Sequence, residues 1–146
     1  MERCIIVTGG AGFIGSNFIF YMFRKHPDYR IVCVDALTYA GNLASLAEVS
    51  DSGRFRFEKA DICNYARIRQ LMSDYNVDGI IHLAAESHVD RSIKDPFAFA
   101  YTNVIGTLTL LQAAKLYWES TEEKYEGKLF YRLLMLNLPF QTPFCF

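Results

Sequence analysis

The sequence predicts an α/β fold, a doubly wound parallel sheet of about five strands, and three observations carry that expectation. Apolar runs at residues 4–8, 30–35 and 79–84 are near-continuous, as strands covered on both faces must be. Segments of helical length separate the runs, which is the βαβ pattern that builds a parallel sheet. A glycine-rich loop, Gly9-Gly10-Ala11-Gly12-Phe13-Ile14-Gly15, sits between the first run and the first helix, and an acid, Asp35, closes the second run twenty positions later.

The elements follow in order. Strands are expected at 4–8, 30–35, 54–59, 79–84 and 128–134. The first helix, 14–25, stops before Pro27, because the residue ahead of a proline is pushed out of the helical region. Arg67, Ile68, Leu71 and Met72 carry a helical period, with candidate caps among residues 61–64. The longest helix should run from Pro96 to about Trp118, with Asp95 as N-cap and Pro96 at the first position, where a missing N–H costs nothing. Its apolar stripe is Phe97, Tyr101, Val104, Leu108 and Leu111. Gly106 interrupts that helix at a cost of roughly 1 kcal/mol against alanine, which suggests a close contact there. Residues 121–127 are polar and read as a surface loop.

A chain of 146 residues, 51% hydrophobic and 21% charged, accommodates one soluble domain and leaves no room for a separate substrate domain. A formal net charge of -1 gives no electrostatic reason to expect nucleic acid or an anionic membrane as partner. Cys4, Cys33, Cys63 and Cys145 form no Cys-x-x-Cys pair, so neither a metal site nor a redox motif is expected, and Cys4 and Cys33 read as small core residues. The N-terminus lacks a secretory apolar region, and the expected location is the cytoplasm.

The glycine loop defines the chemistry. Gly9, Gly12 and Gly15 let the chain turn, bring backbone close to a pyrophosphate and pack the new helix on the sheet. The N–H groups around Phe13 and Ile14 would then face the phosphates from the positive end of the helix dipole. Strand before, helix after and an acid on the next strand together make this the Rossmann-type dinucleotide fingerprint. Asp35 would accept from the 2′- and 3′-hydroxyls of the adenosine ribose and repel a 2′-phosphate, which favours NAD over NADP.

Three further stretches bear a family likeness: Val34-Asp35-Ala36-Leu37-Thr38-Tyr39-Ala40-Gly41-Asn42; Asp61-Ile62-Cys63; and His82-Leu83-Ala84-Ala85-Glu86-Ser87-His88-Val89-Asp90-Arg91-Ser92. With Thr102-Asn103 and Gly106-Thr107, they make the chain resemble the dTDP-glucose 4,6-dehydratases, extended short-chain dehydrogenase/reductases, from about Cys4 to Tyr131. The resemblance implies that Phe13 and Ile14 contact the pyrophosphate and that Asp35, Ala36, Leu37 and Thr38 surround the ribose. It puts Asp61 and Ile62 at the adenine, and Leu83, Ala84, Ala85, Glu86 and Ser87 along the cleft, with Ser87 facing the sugar. Thr102 lies near the cofactor or is simply solvated. Ala36 stands where the family commonly has lysine, which weakens one adenosine contact. The cluster of Glu86, His88, Asp90 and Arg91 reads as loop-holding rather than acid/base or metal-binding, and His82 as a satisfied core histidine.

The family's chemistry resides in a Thr-Asp-Glu segment directly after the fifth strand and a Tyr-x-x-x-Lys on the next helix, and neither is in place. The chain continues from Arg132 into an apolar tail broken by Pro139 and Pro143, too short for a membrane span of about 20 residues. Tyr21 with Lys25, and Thr121 with Glu122 and Glu123, mimic those segments in the wrong places. No catalytic residue is therefore assigned. The expectation is an incomplete NAD-binding domain at 1–134, an atypical tail at 135–146 and no substrate domain, from a truncated or frame-shifted product. The alternatives are a non-catalytic NAD-binding module whose tail docks on a partner, and an epimerase, decarboxylase or reductase of the same superfamily. Family members dimerise through a four-helix bundle that includes the long helix; with the second helix missing, the stripe through Tyr101, Leu108 and Leu111 is expected to be exposed.

Overall fold

A computed structural model describes residues 3–132. The chain runs β1 (Arg3–Thr8), α1 (Phe13–Lys25), β2 (Tyr29–Asp35), a 3₁₀ turn (Leu43–Leu46) leading into α2 (Ala47–Ser50), β3 (Phe55–Lys59), α3 (Tyr65–Asp74), β4 (Gly79–His82), α4 (Val89–Lys94), α5 (Pro96–Ala100), a π-helical stretch (Tyr101–Gly106), α6 (Thr107–Glu119) and β5 (Leu129–Arg132). All five strands are parallel, in the order β3-β2-β1-β4-β5. The order reverses between β1 and β4, and that is where a doubly wound sheet opens a crevice at the carboxyl ends of its strands.

The unbroken apolar character of the inner strands follows from what covers them. Successive side chains on a strand point to opposite faces. Cys4, Ile6, Val32, Val34 and Ile80 pack on one side with Ile68, Leu71 and Met72 of α3 and Leu110, Ala113 and Ala114 of α6. Ile5, Val7, Ile31, Cys33 and Ile81 pack on the other with Ile19 and Met22 of α1. Neither face meets water, so neither needs polar residues. Trp118 is also buried, and its indole N–H is satisfied by the Val77 carbonyl at 2.8 Å.

The helix starts are chemically explicit. Asn64 caps α3 by accepting from Arg67 N–H at 3.1 Å, and Asp95 caps α5 by accepting from Ala98 N–H at 2.9 Å with Pro96 in the first turn. Helix α1 ends at Lys25, with His26 as C-cap ahead of Pro27. The turns after α6 carry residues 121–127 over the surface to β5, as expected. Residues 133 and 134, assigned to the fifth strand from sequence, and the tail at 135–146 lie outside the described residues.

The long helix differs from the uniform α-helix expected. A π stretch at residues 101–106 inserts wider turns between α5 and α6. The sheet side of α6 is made of Leu110, Ala113, Ala114 and Trp118, and the large apolar residues Phe97, Tyr101, Val104, Leu108 and Leu111 lie exposed on the outside. Ala113, Ala114 and, just before them, Gly106 let the packed side approach closely. A Cβ at Gly106 would stand 2.5 Å from Ile62 Cδ1, which is the contact the glycine implied.

Candidate functional site

The cleft at the carboxyl edge of the sheet has a volume of about 350 Å³ and is built from four loops: after β1, β2, β3 and β4. The glycine loop forms its floor. Gly9 turns with φ +69°, and a Cβ there would stand 2.6 Å from Ala84 N, so only glycine lets β1 leave the sheet beside β4. A Cβ on Gly15 would overlap the Gly9 carbonyl oxygen, so the first turn of α1 can lie directly on the loop only with glycine there. Gly12 N-caps α1 with no side-chain hydrogen bond, which leaves the first-turn N–H groups available to a ligand. Phe13 and Ile14 flank that turn on the cleft side.

Asp35 organises the second wall. One oxygen, Oδ2, accepts from Ala11 N–H at 3.0 Å, and the other, Oδ1, accepts from Leu37 N–H at 2.8 Å. Each oxygen of an ionised carboxylate can take a further bond, so the pair is oriented toward the cleft yet retains capacity for a diol. Ala36 and Thr38 line the cleft with it. Leu37 is set back between them. Its backbone is left-handed, φ +53°, which directs its N–H at Asp35, while the side chain packs against the α1 side of the core.

Asp61 and Ile62 line the third wall just past β3. The Asp61 Oδ1 accepts from Cys63 N–H at 2.8 Å, which holds the turn into α3. Burial first, then the charge of Asp61, pushes the neighbouring Cys63 thiol up to about 11. Burial, with Asp35 nearby, pushes Cys33 up to about 12, so it behaves as the inert core residue expected.

Leu83, Ala84, Ala85, Glu86 and Ser87 form the fourth wall, and Thr102 faces it from the π stretch. A hydrogen-bond relay fixes this wall. The Thr107 hydroxyl donates to the Asn103 carbonyl at 2.7 Å, so it accepts from His82 Nε2 at 3.1 Å. The ring proton is therefore on Nε2, and Nδ1 accepts from the Thr8 hydroxyl at 2.7 Å. Thr8 Oγ1 accepts in turn from Ala84 N–H at 3.2 Å. The Asn103 side chain accepts from Glu86 N–H at 3.0 Å and donates to the Glu86 carbonyl at 2.9 Å. Burial, and then the charge of Arg132, lowers His82 to about 4, so the neutral tautomer persists at neutral pH. His82 is the satisfied core histidine expected.

Glu86 reaches Tyr39, whose hydroxyl donates to Glu86 Oε2 at 3.1 Å, and Arg91 Nε lies 4.0 Å from the same oxygen. Burial and the Glu86 carboxylate raise the Tyr39 phenol, which keeps it a donor. Of the two look-alike pairs, Tyr21 lies on the solvent side of α1 with its ring against His26, and Thr121 sits in the turn ahead of β5. Both are remote from the cleft lining.

Four further residues, Val34, Ala40, Gly41 and Ala60, line the cleft without having been expected. Val34 and Ala60 each precede an assigned aspartate, and the signal for them was their position at a strand end. Ala40 and Gly41 were legible only as small residues in the turn after Thr38, closed by Gly41 N–H to the Thr38 carbonyl at 3.1 Å.

Comparison with known proteins agrees with this geometry. The family model described as GDP-mannose 4,6 dehydratase matches residues 6–131. The dTDP-glucose 4,6-dehydratase of Salmonella typhimurium is 50% identical over 119 residues, 82% of this chain and 33% of that protein. The structure of dTDP-glucose 4,6-dehydratase from Bacillus anthracis in complex with NAD superposes with a TM-score of 0.71 at 40% identity, covering 80% of this chain and 34% of that one. The enzyme of the same name from Streptomyces venezuelae, with NAD and TYD bound, gives 0.73 at 45% identity, with 79% and 36% covered. The chain thus spans about a third of the length of these relatives. It belongs to the GDP-mannose 4,6 dehydratase family, within which it resembles the N-terminal part of the dTDP-glucose 4,6-dehydratases.

Proposed function

We propose that residues 1–134 form the NAD-binding domain of a dTDP-glucose 4,6-dehydratase. One observation carries the reading: a single cleft joins an uncapped helix start on a glycine floor to an oriented carboxylate at the end of β2. The pyrophosphate would take the N–H groups at Phe13 and Ile14, drawn by the helix dipole. Asp35 would accept from the ribose diol and exclude a 2′-phosphate, Asp61 and Ile62 would hold the adenine, and Leu83 to Ser87 with Thr102 would extend along the remaining cofactor, Ser87 nearest the sugar. Relatives of 40% and 45% identity were solved with NAD, which supports the assignment. When bound, the nicotinamide supplies hydride exchange in the conversion of dTDP-glucose to dTDP-4-keto-6-deoxyglucose plus water.

The residues of this chain would bind and orient. None of those up to Arg132 supplies the family's Thr-Asp-Glu or Tyr-x-x-x-Lys segment, so the chain on its own is read as a cofactor holder. Calorimetric titration of the purified chain should show NAD binding, with NADP much weaker. Equal affinity for the two, or none for either, would overturn the reading. Incubation with dTDP-glucose should give no 4-keto-6-deoxy sugar, and a measurable rate would sink the cofactor-holder reading. We further place the protein in the cytoplasm and read the outer face of α4 to α6 as the contact with a second copy. The helix Pro96–Glu119 is long and apolar enough to cross a membrane, but α6 lays one side on the sheet.

A further inference from the structure

We propose that Tyr39 is the positioning residue of a clasp that ties the two rims of the dinucleotide cleft together and slows release of the bound cofactor. The proposal rests on the NAD-binding reading above and adds a kinetic role for a residue outside the cleft lining.

β2 and β4 are not neighbours, since β1 lies between them. Two strand spacings separate them by about 10 Å, so their following loops can meet only by reaching over the carboxyl edge of β1 and the glycine loop. Tyr39 makes that reach. It lies between Thr38 and Ala40, which line the cleft from the β2 side, and its hydroxyl donates to Glu86, which lines the cleft from the β4 side, at 3.1 Å.

Two further contacts converge on the same ring. The Arg91 guanidinium carbon lies 4.1 Å from the ring centroid, and the His88 ring meets it edge-on at 5.1 Å between centroids. Arg91 Nε is 4.0 Å from the Glu86 oxygen that accepts from Tyr39, so cation, ring and carboxylate form a closed triangle. The guanidinium is both held on the ring and neutralised by the acid.

The two rims differ in firmness. Asn103 bonds the Glu86 backbone at both its N–H and its carbonyl, so the β4 rim is a fixed anchor. The β2 rim passes through Leu37 at φ +53°, a conformation in which a non-glycine residue stores strain. Its ties are the Asp35 carboxylate, the bond from Asn42 N–H to the Ala11 carbonyl at 3.0 Å, and Tyr39. Of these, Tyr39 alone spans the mouth of the cleft to the β4 rim. Its side chain remains half-exposed and makes no lining contact, so it acts through the rims and not on the ligand. A tie of this kind acts on the closed state, and its loss is read mainly in the dissociation rate.

The test is stopped-flow displacement of NADH from the full chain, with Tyr39→Ala, Tyr39→Phe and Arg91→Ala beside the wild type. Tyr39→Ala removes one hydrogen bond and one cation–π interaction, so it should release NADH about tenfold faster, with association changed by less than about twofold. Tyr39→Phe keeps the ring interactions and should fall between, and Arg91→Ala should resemble it. The far-ultraviolet circular dichroism without nucleotide should match the wild type in all three variants, a readout that separates positioning from loss of the fold. Binding by the wild type with unchanged dissociation in Tyr39→Ala overturns the clasp and leaves the NAD-binding reading standing. No binding by the wild type overturns both.

Discussion

Asp35 shows how a single carboxylate can be both scaffold and ligand group. Its two bonds, from Ala11 and Leu37 N–H, join the glycine loop to the β2 rim before any ribose arrives. Asp35→Ala removes the diol acceptor and leaves both donors unpaired. The expected loss of NAD affinity by calorimetry is on the order of a hundredfold, as for bonds to a charged group, with discrimination against NADP much reduced. Retained discrimination would place selectivity elsewhere. His82 has a different residue-scale consequence. Its folded value, about 4, lies below the ordinary 6.5. Between those values the unfolded chain binds the proton and the folded chain does not, so stability is full above pH 6.5 and falls as pH drops toward 4. The loss attributable to His82 is on the order of 3 kcal/mol. Urea denaturation at pH 7, 5.5 and 4 should show a steeper decline for wild type than for His82→Gln, and parallel declines would exclude the histidine as the cause.

At the scale of elements, the π stretch between α5 and α6 sets the shape of the cleft wall. It places Thr102 on the cleft, Asn103 on the Glu86 backbone and Thr107 on His82 within one and a half turns. Gly106 lets Ile62 approach, so Gly106→Ala must displace a side chain that also lines the cleft. The gain in helix propensity, roughly 1 kcal/mol, is outweighed by overpacking of roughly 1–3 kcal/mol. Chemical denaturation should therefore show a net loss of about 1 kcal/mol, and Gly106→Ala should cost less in an Ile62→Ala background, which removes both nearest atoms, than in the wild type; an equal cost in the two backgrounds would reject this steric account. Much of the architecture was legible because its causes are local: apolar runs for the buried strands, Asn64 and Asp95 as caps, glycines under the loop, Asp35 at a strand end. What was not legible has tertiary causes. α4 has no buried residue to give it an apolar period. The π insertion is held by contacts with β4 and its loop, which the helical period of the sequence does not register. Leu37 lies between two cleft residues yet turns away because its N–H is taken by Asp35.

For the molecule as a whole, the feature still to be accounted for is an apolar surface. Ile93 is 75% exposed and Phe97 85%, and Tyr101, Val104 and Leu108 each remain more than half exposed along the outer side of the α4 to α6 segment. Isolated apolar residues on a surface need no explanation, but a contiguous row does, and such a row marks a contact. The inner side of α6 is already packed on the sheet and α3, so its outer row can be buried only by another surface. A two-fold contact uses each side chain twice, which makes one row of large residues an efficient interface. The chain should therefore self-associate in the micromolar range, and Val104→Glu with Leu108→Glu should return it to monomer by placing unpaired charge in the interface. Because both positions are exposed in the monomer, the double variant should keep NAD binding and its far-ultraviolet circular dichroism. Sedimentation equilibrium decides the matter: a wild-type chain monomeric to about 100 µM, near the weak end of specific association, would show that this face is not a contact between copies.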